Sequence, residues 1–353
     1  MSLAILWFVV LAILWCGFLF LEGFDFGVGM LHDFVGTNDL ERRVAINTIG
    51  PVWDGNEVWL IVAGAGMFAA FPDWYATMFS GFYLALVLLL VALIIRGVSF
   101  EFRHQLDSAG WHWLWDGAMT LGSFLIPVLV GCALGNLLRG VPIDAHHEYT
   151  GSFWTLLNPY SLFVGLTVML LCLVHGATFL ALKTKGVVQD HAEQVGGWIA
   201  PLAALFVIGF AIWTPALAGH VARAPVPILA ALAALAAVWL IRAHRDGWAF
   251  VATGVAVLAT VATIFVFLYP HVMVSSTSTA NSLTIANASS SSYTLKVMTV
   301  VTAIFFPIVL IYQGWTFYVF RRRIGVGDLQ HSGSGDATPG AGAAGSAGAP
   351  AGR

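Results

Sequence analysis

Long apolar runs alternate with short polar connections along most of this chain. Runs of about 18 to 25 residues are enough to cross roughly 30 Å of hydrocarbon as helix. They lie near 3–31, 50–70, 76–98, 113–137, 158–182, 198–219, 225–241, 247–270 and 295–320. The pattern predicts an all-α polytopic membrane protein, a single transmembrane domain over 1–324 with nine transmembrane helices. The first run has no basic start and no small-residue cleavage site, so it reads as a retained helix and not as a signal peptide. Residues 275–292, SSTSTANSLTIANASSSS, make an uncharged polar loop of the kind that packs against a partner. Residues 325–353 are rich in Gly, Ala, Ser and Pro, cannot build a core, and predict a disordered tail.

Composition agrees. Only 9% of the 353 residues are charged, against about 25% in soluble domains, and the mean hydropathy is +0.86. A net charge of −3 gives no footing for nucleic acid. Alternating the loops sorts the basic residues. Arg42, Arg43, Arg103, Lys183, Lys185, Arg242, Arg245, Arg321, Arg322, Arg323 and Arg353 fall on one side, and Arg139, Arg223 and Lys296 on the other. Eleven against three puts the N-terminus outside and the C-terminus in the cytoplasm.

That orientation gathers charge at one depth. Leu3 to Leu21 is uncharged, and then EGFDFGVGML places Glu22 and Asp25 three residues apart, on one helix face. WDGNEVW opens the second span with Asp54 and Glu57. RGVSFEFR ends the third with Arg96 and Glu101, and Asp116 starts the fourth. Six carboxylates and one arginine thus meet near the cytoplasmic surface. They read either as interfacial anchors and helix-pinning ion pairs or as a polar entry that relays protons. Gly23, Gly27 and Gly29 lie inside a span with no preceding strand. They suit close helix approach better than phosphate binding. Only His175 falls clearly within a span, so no bis-histidine haem pair is visible, and no metal site is expected. Cys16, Cys132 and Cys172 are packing thiols within apolar runs. A proton-coupled secondary transporter would also explain intramembrane carboxylates. It is the weaker alternative, because the charges cluster at one surface and spans after 198 carry almost none.

The blocks EGFDFGVGML, PVWDGNEVW, RGVSFEFR, GCALGNLLRGVP, LNPYSL, HGATFLALKT and MTVVTAIFFPIVLIYQGW resemble subunit II of the cytochrome bd-type quinol oxidases. The resemblance is dense over about 18–185 and again over about 269–318. It implies two four-helix bundles plus one peripheral helix, in a bacterial plasma membrane. It also implies a partner, subunit I, that holds two haems b and one haem d, with room for a small third subunit. Such a complex oxidises quinol and reduces O₂ to water, taking its protons from the cytoplasm. Subunit II ligates no haem, lies among membrane lipid, and in some members holds a structural quinone. Carried over by motif, Asp25 and Asp54 would be proton-route residues, with Glu22 and Glu101 beside them. Arg96 would balance a haem propionate of the partner, and Trp53 would contact a bound quinone. The family often has Asp where this chain has Glu22 and Glu101. The outer connection AGHVARAPVP is short here, where some members carry a long insert.

Overall fold

The computed structural model describes residues 2–333. The chain folds into twelve α-helices: α1 Leu3–Val35, α2 Asp39–Ile49, α3 Trp53–Ala70, α4 Pro72–Gly81, α5 Tyr83–Phe102, α6 Ala109–Arg139, α7 Pro159–Lys183, α8 Val187–Ala218, α9 Pro225–Arg242, α10 Asp246–Leu268, α11 Ser292–Val319 and α12 Val326–Gly333. Among the described residues, α1, α5 to α11 are long and apolar enough to cross a membrane, eight in all. The ninth expected span, near 50–70, is α3. It is 18 residues long but opens with Asp54, Asn56 and Glu57. This is a multi-pass membrane architecture.

Local chemistry sets the boundaries. Side chains of Ser2, Asn38, Ser108 and Asn158 accept backbone N–H groups at the starts of α1, α2, α6 and α7. The span expected at 76–98 is built differently, as α4 and α5 meeting at Phe82. Pro72 starts α4 because it lacks an N–H and turns the residue before it away from helix. At the other end of α4, Gly81 receives the Tyr149 ring, whose Cβ would lie 2.6 Å from a side chain there. Helix α8 begins eleven residues ahead of the expected 198, because Val188 and Ala192 bury on the same face as the apolar part. Helix α2 was not foreseen. Its buried Glu41, Val44, Ala45, Thr48 and Ile49 recur at helical spacing in a charge-rich segment. Hydrogen bonds from Thr37 hold the Glu41 carboxyl below its ordinary value.

Packing runs through α1, which touches α3, α6, α7 and α10. Helices α5 and α6 pack together, and α7, α8, α9 and α10 pack on one another. Helix α11 contacts α1 and α3 and buries only Leu295. One end is tied by Thr184 pairing with Ile324, by Arg103 with Asp39 and by His191 with Val35. At the other end a two-stranded antiparallel ribbon, β1 His271–Met273 and β2 Leu283–Thr284, holds the serine-rich loop. That loop makes hydrogen bonds within its own chain. Ser275 and Asn281 donate to the Ile143 carbonyl at 3.1 and 3.0 Å, and Ser290 donates to Ala69 at 2.6 Å. The tail expected from 325 begins as helix α12, and the remainder lies outside the described residues.

Helices α1 and α7 meet backbone to backbone. A Cβ on Gly27 would lie 2.1 Å from the Cys172 carbonyl oxygen and 2.7 Å from Gly176 Cα. Gly27→Ala should therefore destabilise the purified protein by about 1–3 kcal/mol, through forced separation of the two helices. Gly197→Ala, where a methyl meets nothing within 4 Å, should not. Thermal unfolding in detergent reads both; equal midpoints would rule out the close contact.

Candidate functional site: a buried charge cluster

Helix α1 turns Glu22 and Asp25 inward, and both are fully buried. Arg96, near the end of α5, is also fully buried and faces them. Its Nη1 lies 2.5 Å from Glu22 Oε1 and 3.5 Å from Glu57 Oε2 of α3. The guanidinium carbon sits 4.9 Å from the Phe26 ring centre, 5.4 Å from that of Phe100 and 5.9 Å from that of Trp53. Three π-faces supply the favourable contact that water would give outside. Asp25 Oδ2 accepts from Asn56 Nδ2 at 2.7 Å, and Asn56 Oδ1 accepts from Gln313 Nε2 of α11 at 2.8 Å. One guanidinium therefore faces three carboxylates within the fold. Removing water makes uncompensated charge costly, and carboxyls so placed have the chemistry to hold a proton.

The sequence-predicted residues divide. Glu22, Asp25 and Arg96 come together, joined by Glu57. Asp54 and Glu101 stand exposed on the surface of this chain. Asp54 is one turn from Glu57 on α3, close enough for their charges to interact. Arg96, expected to balance a propionate of a partner, is fully buried in this chain and pairs with Glu22 within it. Trp53 is half-buried and stacks on Phe100, with ring centres 4.7 Å apart. Asn56 and Gln313 were missed. The only signal for Gln313 is that it is the one amide in α11.

Asp116 belongs to a second cluster. It pairs with Arg103, Nε to Oδ1 at 2.6 Å, and with His32 Nε2 at 3.4 Å. Arg42 Nε lies 3.0 Å from Asp33 Oδ1, and Arg103 Nη2 lies 2.7 Å from Asp39 Oδ1. Ligand atoms of His32, Asp33 and Asp116 are within 4.8 Å of one another, a spacing that could suit a cation. The two guanidiniums already occupy those oxygens and would repel one, so the group is an ion-pair hub joining α1, α2, α5 and α6.

His175 does not fit iron ligation. Its Nδ1 is bonded to Thr253 Oγ1 at 2.8 Å and its Nε2 to the Phe20 carbonyl at 3.2 Å, with the ring stacked on Phe250. Beside α3, α4 and α5 lies an apolar cavity of about 620 Å³, lined by Leu60, Phe68, Tyr75, Phe79, Tyr83 and Leu90 among others. Trp53 does not line it.

Comparison with known proteins agrees with this architecture. The chain is 44% identical over 328 residues to cytochrome bd ubiquinol oxidase subunit 2 of Bacillus subtilis, covering 92% of this chain and 97% of that one. It is 36% identical over 369 residues to cytochrome bd-I ubiquinol oxidase subunit 2 of Escherichia coli K12, covering 94% and 97%. A solved structure titled as bd oxidase from Geobacillus thermodenitrificans shares the fold, with a TM-score of 0.71 at 20% identity over 95% of this chain and 100% of that one. Residues 3–320 match the family described as cytochrome bd terminal oxidase subunit II, and the chain belongs to that family.

Proposed function

We propose that this chain is the haem-free subunit II of a quinol-oxidising, O₂-reducing bd-type oxidase in the bacterial plasma membrane. Its partner is a haem-carrying subunit I. Its task is to support assembly and to deliver protons from the cytoplasmic side. In this reading α3 is the ninth span. Helices α1, α3, α5 and α6 form one bundle, α7 to α10 the other, and α11 is peripheral. The haems b and d belong to the partner and supply the oxygen chemistry. A transporter reading has no support among the relatives.

The observation that carries the proposal is the buried Arg96–Glu22–Asp25–Glu57 cluster with Asp54 and Glu101 exposed beside it. One guanidinium cannot neutralise three closely spaced carboxylates, so the cluster holds exchangeable protons. Asp54 and Glu101 are the hand-over groups on the face that subunit I covers. Glu57, half-buried, links Asp54 to the interior. Arg96 is the electrostatic anchor that keeps the carboxylates together. If a structural quinone is bound, the apolar cavity beside α3 to α5 suits its tail.

Asp54→Asn keeps shape and most hydrogen bonds but removes the exchangeable proton. In the assembled complex it should lower oxygen uptake per haem d by about tenfold, roughly 1.4 kcal/mol in the barrier. Reduced-minus-oxidised spectra should stay unchanged. Asp25→Asn should behave alike, with a smaller loss where Glu22 substitutes. Full turnover with intact haems in Asp54→Asn would sink the route. The anchor has its own test. Arg96→Leu leaves Glu22 buried and unpaired, and should cost about 3–5 kcal/mol of stability. Arg96→Leu combined with Glu22→Leu should recover much of that loss. Thermal midpoints of the complex decide, and a double variant worse than Arg96→Leu alone would refute the pairing.

A further inference from the structure

Asn56 is buried in the first turns of α3, and its amide is fully engaged. Nδ2 donates to Asp25 Oδ2 at 2.7 Å and to the Leu21 carbonyl at 3.5 Å, while Oδ1 accepts from Gln313 Nε2 at 2.8 Å. Gln313 thus reaches Asp25 only through Asn56, and it does so from α11, a helix with a single buried residue. The other Asp25 oxygen, Oδ1, is buried without a hydrogen-bond partner among the described residues, as is Glu22 Oε2, while Glu22 Oε1 meets Arg96. Glu22 and Asp25 stand one turn apart on one face of α1, and both side chains are fully buried.

These two halves of Asp25 differ chemically. A carboxyl accepts a proton on one oxygen and can give it up from the other. An amide donates its N–H groups but has no proton to surrender near neutral pH. Oδ2 is therefore held by a group that does not exchange, and Oδ1 is left without such a hold, with the Glu22 carboxyl one helical turn away. We propose that Asn56 and Gln313 are positioning residues for the proton relay. The amide pair pins one oxygen of Asp25, keeps the other towards Glu22, and closes the α11 side of the cluster to proton traffic. The role rests on the proton-delivery reading above.

A double-mutant cycle in the whole oxidase complex tests it, with leucine as the apolar replacement at both positions. Asn56→Leu should lower oxygen uptake per haem by about fivefold and Gln313→Leu by about threefold. The double variant should fall no further than Asn56→Leu, because Gln313 acts only through Asn56. Haem spectra and the KM for quinol should not move. The solvent deuterium isotope effect on turnover should rise in both single variants, because proton transfer becomes slower than the other steps. A variant that only reduces the folded fraction leaves the isotope effect where it was. Losses that multiply in the double variant, or an unchanged isotope effect in Asn56→Leu, overturn the proposal. The same cycle on thermal midpoints separates the remaining outcomes. Coupling in the midpoint without coupling in turnover makes the pair a structural clamp only, which also overturns it. Full turnover in Asp25→Asn is the distinct result that removes the proton route itself.

Discussion

A guanidinium without exposed surface must be met by an anion inside the protein, and much of this fold follows from where Arg96 finds one. Its partner Glu22 lies on a helix some seventy residues earlier in the chain, so α1 and α5 must converge at one end. Around that pair the remaining requirements are met by group type. Rings of Phe26, Phe100 and Trp53 take the faces of the cation, Glu57 takes its flank, and amides take Asp25. Ion pairs of this kind gain little net stability over apolar packing, yet losing one partner is costly. Such a pair therefore specifies which helices meet more than it strengthens their meeting.

The second cluster obeys the same rule at the aqueous edge. Arg103, buried like Arg96, is shared between Asp116 and Asp39, and Arg42 spans from Asp33 towards Asp116. Two guanidiniums share three carboxylates there, whereas around Arg96 a single guanidinium faces three, a larger excess. The hub is built to hold helix ends, and the Arg96 cluster keeps charge unresolved. That imbalance, not burial alone, separates the site from the scaffold.

Much of this was legible in the chain. Apolar run length revealed the spans to within a few residues for α7, α9, α10 and α11, and the three-residue spacing of Glu22 and Asp25 put them on one face. What could not be read was direction. Asp54, Asn56 and Glu57 crowd one turn of α3, and nothing local says which of them points inward. Gln313, more than 250 residues later, decides that Asn56 does, leaving Asp54 outside. Glu101 is likewise turned out, because Arg96 and Phe100 use the inner face of α5. Beside the break at Phe82, Gly81 makes room for Tyr149, again a distant residue. Pattern within a helix is local information, but its rotation about its own axis is set by neighbours.

Chain order adds a constraint on how the protein is made. Synthesis runs from the N-terminus, so Glu22 and Asp25 enter the membrane on α1 well before Arg96 exists on α5. Charged carboxylates have no counter-ion during that interval, and hydrocarbon does not tolerate them. The nascent first helix must therefore carry them neutral, or hold their end of α1 at the headgroups until α3 and α5 arrive. Gln313 comes last, on α11. The buried cluster of the finished protein is thus assembled by a sequence of insertions, beginning with the acids and ending with the amide.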